Sequence, residues 1–236
     1  MVKKTVLQSE KREIEKSPRA PVMFPELIDA LTGLCFAEDR KEKADILFVF
    51  GTNIIQQQLA KKICGLLEEG IVKKVIITGG IASYENIILQ SIPESELILS
   101  HIPTEKFNDV QFIKENNSKN SLENVLEANL IYDFRPDEKI IFMSHSYASM
   151  RSKLTLKKIC PDKILLSHPY DIPTESKRYP ISKKFWWKTV YGQAVVWGEF
   201  LRFVKYGERN DFPIDEVQGK LSEVKKILTA KNIAQS

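Results

Sequence analysis

Apolar and polar residues fall along this chain in blocks. Ala44-Asp45-Ile46-Leu47-Phe48-Val49-Phe50 is almost continuously apolar and stops at Gly51-Thr52-Asn53. A strand apolar on both faces is one covered on both faces, as in a parallel sheet. Four further runs read the same way: Lys73 to Thr78 before Gly79-Gly80, Asp109 to Glu115, Lys139 to Met143, and Lys163 to Leu166 before Ser167-His168-Pro169. Between them the apolar positions take helical spacing, over Ile54 to Glu69 with Gly70 as the stop, Ser121 to Tyr132, and Met150 to Ile159. Tyr84 to Gln90 reads as helical, with Pro93 as the break. Ser95 to Ile102 fits a short helix, while Leu97-Ile98-Leu99 fits a strand equally well.

The flanks are helical. Val6 to Lys16 is polar and compatible with a helix, and Ser17-Pro18-Arg19-Ala20-Pro21 breaks it. Leu27, Ile28, Leu31, Leu34 and Cys35 form a helical stripe with no obvious cap. After a Pro-rich loop at 169–182, Lys183 to Tyr206 reads as one long aromatic helix, followed by a helical tail from Ile214 to about Leu228. An aromatic core stripe explains Trp186, Trp197, Phe200 and Phe203 more simply than a stacking platform does. Five strands alternating with helices predict an α/β fold with a doubly wound, mainly parallel five-stranded sheet and helical additions at both ends. The expected organisation is a preface at 1–43, a core at 44–168, and a loop with packed helices at 169–236.

Composition changes little in this picture. The chain has 236 residues, 43% hydrophobic and 28% charged, with a net charge of +4. Lys and Arg are scattered among acids, which reads as a solvated surface and not a nucleic-acid footprint. No apolar run approaches the roughly 20 residues of a membrane helix, and the basic start lacks the apolar core of a secretory signal. Cys35, Cys64 and Cys160 are far apart and set among apolar residues, so no zinc or thioredoxin-type motif is expected. Dispersed cysteines suit a reducing cytoplasm. No His, Cys or carboxylate cluster has metal-ligand spacing, so no metal is expected.

The chemistry sits where the strands end. In a parallel sheet every carboxyl end opens on one crevice. Gly51, Asn53, Thr78, Gly79 and Gly80 follow the first two strands. Glu115, Ser118, Asn120, Ser121, Glu123 and Asn124 belong to the polar run after the third, and Ser144, His145, Tyr147 and Arg151 follow the fourth. These are the candidate ligand-contacting residues. Glycines admit a ligand close to the backbone, and Arg151 would offer a fork of donors to a carboxylate or phosphate. Arg151 could equally brace the fold by pairing with Glu123 or another acid. Asn120-Ser121-Leu122-Glu123 has capping-box form, so Glu123 is open to a capping or a ligand role. Glu96, Glu123 and His145 are the candidates for proton transfer. No dinucleotide glycine motif, phosphate-binding loop or hydrolase nucleophile elbow is present.

Several of these segments resemble the YdcF-like and SanA-like proteins, grouped as domain of unknown function 218. Asp45-Ile-Leu-Phe-Val-Phe-Gly51 is similar to that family's opening strand. Thr78-Gly79-Gly80 and the acidic stretch at Ser95-Glu96 resemble its Ser-Gly-Gly segment and following helix. Glu115-Asn-Asn-Ser118-Lys-Asn120-Ser121-Leu-Glu123-Asn124 matches its Glu-x-x-Ser-x-Asn-Thr-x-Glu-Asn motif, with Ser121 in place of Thr. Ser144 through Arg151 resembles its Thr-Ser-x-x-His-x-x-Arg run, but Ala148 stands where the His is usual, and His145 where Ser is. Trp187 to Gly207, with Glu199, Arg202 and Tyr206, resembles the longer YdcF-like members. The resemblance covers residues 44–168 and part of the tail. It implies a Rossmann-like fold and, for one branch, S-adenosylmethionine as a ligand; it implies no settled reaction. The expectation is a cytoplasmic protein that binds a small anionic or nucleotide-like molecule, an enzyme or else a ligand-binding regulator or assembly protein. Helical additions at both ends are compatible with an oligomer.

Overall fold

A computed structural model of the chain describes residues 13–81, 83, 84, 87, 88, 91–173 and 180–231. Five strands, β1 (Ile46–Val49), β2 (Lys74–Ile77), β3 (Gln111–Lys114), β4 (Lys139–Met143) and β5 (Ile164–Ser167), form one sheet in the order β3-β2-β1-β4-β5. Every pairing is parallel, with Phe48 opposite Ile76 on one side and Phe142 on the other. The sheet is wholly parallel, a stricter outcome than the mixed sheet that the sequence allows.

Side chains alternate across it, as the pleat requires. Leu47, Val49, Val75, Ile77, Ile141 and Met143 pack on one face with α2 (Gln56–Glu68) and α3 (Glu94–Ser100). Ile46, Phe48, Ile76, Ile140 and Phe142 pack on the other with α4 (Ser121–Ile131) and α5 (Ser149–Ile159). Two buried cores, one per face, make this a doubly wound, Rossmann-like fold. Strand order reverses between β1 and β4, which is the topological switch point.

A third apolar cluster joins α1 (Pro25–Cys35), α6 (Val190–Glu208) and α7 (Gln218–Ala230) to Leu154 of α5. Pro25 opens α1, where its missing N–H costs nothing, and no side chain caps the helix. Trp186 is fully buried there, its Nε1 donating to Thr32 Oγ1 at 2.9 Å.

Three expectations need correction. The long aromatic helix begins at Val190, not Lys183. Thr189 caps it through Gly192 N–H, and Trp186–Lys188 form a separate 3₁₀ turn. Residues 83–84 and 87–88 pair as a short antiparallel ladder instead of a helix, in keeping with the extended preference of β-branched Ile87 and Ile88. Residues 13–16 are not helical, and Val6 to Arg12 lie outside the described residues. The ambiguous stretch after Pro93 is helix α3. No described helix is long and apolar enough to cross a membrane.

Candidate functional site

The strand ends meet, and the space above them is a cavity of about 620 Å³. Its floor is built from glycine. A Cβ on Gly51 would stand 2.7 Å from Thr78 O and 2.8 Å from Gly79 Cα. Gly79 has φ 121°, a conformation closed to most side chains. Gly80 N–H donates to Ser118 O, and a Cβ there would meet Asn116 O at 2.7 Å. The chain after β2 therefore runs beneath the loop after β3 with no room for a side chain.

That loop holds itself in place. The buried Glu115 carboxylate accepts from Gly79 N–H (3.2 Å), Ser118 N–H (2.8 Å), Asn117 N–H and Ser118 Oγ. Asn120 caps α4 by accepting from Leu122 and Glu123 N–H. Glu123 reaches back to Lys119 N–H (2.8 Å) and Asn120 Nδ2. Buried Asn124 donates to Thr78 Oγ1 (2.8 Å), which donates on to Val49 O (2.9 Å). Glu115, Ser118, Asn120 and Glu123 thus bond within the run and shape the cavity wall.

Across the switch point, Thr52 Oγ1 lies 3.1 Å from His145 Nε2. His145 stacks on Tyr147 with ring centroids 5.2 Å apart and leans on Tyr170 at 4.8 Å. The Ser144 hydroxyl, also in the wall, is buried and has no hydrogen-bond partner among the described residues.

Beyond β4 lies the cationic side. Arg151 sends Nε (2.7 Å) and Nη2 (3.3 Å) to Glu199, and Arg202 Nη1 meets the same carboxylate at 3.3 Å. All three side chains are at least seven-eighths buried. Burial raises the Glu199 carboxyl, but Arg151 and Arg202 outweigh it and hold the group below its ordinary value. Two guanidiniums on one carboxylate leave one positive charge in excess. Arg202 also donates to Glu15 O at 2.7 Å and reaches Ile14 O at 3.5 Å. Residues 13–18 pass over α6 beside Gly198, where a Cβ would meet Pro18 Cδ at 3.1 Å. This segment brings Glu13, Ile14 and Lys16 to the cavity.

Of the residues nominated from sequence, Gly51, Asn53, Gly80, Ser118, Asn120, Ser121, Asn124, Ser144, His145, Tyr147 and Arg151 line the cavity together. Thr78, Gly79 and Glu115 lie behind the lining as its supports. Glu123 is committed to the α4 cap. Glu96 points elsewhere, to Lys114 Nζ (3.3 Å) and Asn116 Nδ2 (2.9 Å). Arg151 pairs with Glu199, not Glu123.

The acid over the glycine floor of the cavity is Glu94, two residues before Glu96 and so on another side of α3. Glu94 N–H donates to Gly80 O and Ser95 N–H to Gly79 O, both at 3.0 Å. These bonds dock the first turn of α3 on the glycine floor. Glu94 Oε2 sits 2.6 Å from where a Gly51 Cβ would be and 2.9 Å from a Gly79 Cβ. Burial lifts this carboxyl to about 7, with Lys16 pulling weakly the other way. Its sequence signal was the same acidic stretch that nominated Glu96. Tyr170 was missed because it lies three residues past β5, in a stretch that reads only as a Pro-rich loop.

The thiols take no part. Cys35 and Cys160 are buried, and burial pushes all three thiol pKa values up, Cys160 to about 11. Among the described residues no group of His, Cys, Asp and Glu is placed to hold a metal ion. No protein-family model and no curated protein matches this chain.

Proposed function

We propose that the chain binds a small anionic, nucleotide-like molecule at the carboxyl edge of its sheet and acts on it as an enzyme. The observation that carries this reading is the pair of buried arginines sharing Glu199 in the cavity wall. A guanidinium has five N–H donors, and Glu199 engages only Nε and Nη2 of Arg151. The remaining donors and the excess charge suit a phosphate or carboxylate. The volume of about 620 Å³ lies within the usual range for small-molecule sites. The glycine floor lets a ligand approach the backbone, and the unpartnered Ser144 hydroxyl supplies a further polar contact. The resemblance to YdcF-like and SanA-like proteins supports S-adenosylmethionine as one member of the ligand class. Three free thiols suit a cytoplasmic setting.

One observation favours a second reading, a ligand-binding regulator without chemistry. Ala148 presents a methyl group to the cavity where the resemblance implies histidine. The test is thermal-shift screening against nucleoside phosphates, S-adenosylmethionine and sugar phosphates. Binding raises the melting temperature because the ligand selects the folded state. Silence from every compound at millimolar concentration would defeat the proposal. Turnover of a bound compound decides for the enzyme, and binding without turnover for the regulator.

A further inference from the structure

The cavity is chemically lopsided. Arg151 and Arg202 stand beyond β4, whereas Glu94 sits over the seam between β1 and β2. Two strand spacings of about 4.8 Å separate these ends, on the order of 10 Å. The bridge between Thr52 and His145 lies between them.

Glu94 is unusual in its surroundings. Its carboxylate is pressed against Gly51 and Gly79 and accepts no hydrogen bond from the described residues. The charged group that acts on it is Lys16, from the segment before α1. Tyr170, after β5, lies close enough to feel its charge, and His145 and Tyr147, after β4, face the same space. The residues it packs on, Gly51 and Gly79, carry no charge. An acid held over bare glycine backbone, facing a space sized for a ligand, has no structural bond to make. By contrast Glu115, Glu123 and Glu199 are each engaged by several donors.

We propose that Glu94 is the proton-exchanging group of this cavity: a ligand whose anion lies toward Arg151 sets a hydroxyl or amine against the Glu94 carboxyl, which releases its proton as the ligand seats. The proton leaves to solvent, and the ligand's N–H or O–H then donates to the carboxylate. No covalent bond forms or breaks in this step. The proposal rests on the anion-binding reading above and adds the class of ligand, one with a hydrogen-bond donor about 10 Å from its anion. It also makes Glu94 the group through which a proton would enter or leave any reaction here.

Two measurements test it. Dicyclohexylcarbodiimide adds to protonated carboxyls in apolar surroundings, and peptide mass mapping locates the adduct. At pH 6.5 the whole chain is expected to carry it at Glu94, with labelling lost as pH rises through about 7. The second measurement is the affinity for adenosine 5′-monophosphate, whose exocyclic adenine amine supplies a donor at about that distance from the phosphate. Affinity is expected to rise about tenfold more between pH 6 and pH 8 in the wild type than in Glu94→Gln, since one full ionisation is tenfold per pH unit. The phosphate's own titration is common to both proteins and cancels. Binding with the same pH dependence in both overturns the proposal and leaves the anion-binding reading standing. Absence of binding by adenosine 5′-monophosphate and by every other compound of the thermal-shift panel defeats that reading instead, and the labelling then decides alone. An unlabelled Glu94 at pH 6.5 overturns the inference, and the wild-type labelling result holds even if Glu94→Gln fails to fold.

Discussion

Thr52 Oγ1 and His145 Nε2 lie 3.1 Å apart across the point where the strand order reverses. The contact ties the loop after β1 to the loop after β4, beyond the backbone bond from Phe50 N–H to Met143 O at 3.0 Å. Thr52 also accepts from Ile54 N–H and lies near Ile54 O, so its hydroxyl organises the turn before α2 as well. Thr52→Val keeps the shape and removes the hydroxyl. It is expected to cost about 1–2 kcal/mol, the worth of a part-buried hydrogen bond plus an unsatisfied partner. Urea denaturation measures it; an unchanged midpoint would mean that the bridge contributes nothing.

Gly51→Ala and Gly79→Ala should be severe. The new methyl on Gly51 meets Thr78 O, Gly79 Cα and Glu94 Oε2 within 2.8 Å, and two of those three are backbone. Gly79 adds its positive φ. Either change should cost about 2 kcal/mol or more through overpacking and abolish ligand binding. Gly33 and Gly65, with nothing near their Cβ positions, are the controls: alanine there should stabilise the helix by about 0.5–1 kcal/mol.

Much of this arrangement was legible in the chain. Ile46 to Phe50 and Ile140 to Met143 announce buried parallel strands because neither face shows a polar residue. The polar ends of those runs had to converge once the strands were parallel, and they do. Side-chain allegiance was not legible. Nothing local distinguishes Glu94 from Glu96; only the docking of α3 on Gly79 and Gly80 turns one inward and the other toward Lys114. Glu199 lies 48 residues from Arg151, so their pairing depends on how α6 returns over the strand ends. The reach of the aromatic helix was overestimated because Phe185 and Trp186 keep the apolar pattern while Thr189 restarts the backbone.

Glu199→Ala would leave Arg151 and Arg202 buried without their shared partner. Breaking a buried pair from one side typically costs 3–5 kcal/mol, and a loss of about that size is expected here. Glu123→Gln makes the contrast. Its carboxylate is exposed and serves the α4 cap, where an amide still accepts, so a loss of under about 1 kcal/mol is expected. Ligand affinity should be unmoved. Chemical denaturation of both variants beside a binding titration checks the pair; a larger loss in Glu123→Gln would reverse the roles assigned to these acids.

Glu94 also predicts how stability varies with pH. Its carboxyl is lifted from 4.5 to about 7 in the folded chain, so the folded state holds a proton that the unfolded state has lost. Stability from this group therefore falls as pH rises between about 4.5 and 7, then stays level. The upper bound is about 3 kcal/mol, and partial solvent access lowers it. Glu94→Gln should be more stable than the wild type at pH 8, by about 1–3 kcal/mol, and nearly equal to it at pH 4.5. Equal stability of the two at pH 8 would show that the acid is not held out of water.

Arg202 grips the Glu199 carboxylate with one edge and the carbonyls of residues 14 and 15 with the other. Where a recombinant version is made to begin thus becomes a chemical decision. A version starting at Ser17 keeps every strand and helix described above, but it removes Lys16 from the neighbourhood of Glu94 and releases guanidinium donors toward the opening. Two laboratories trimming this segment differently would be assaying different pockets.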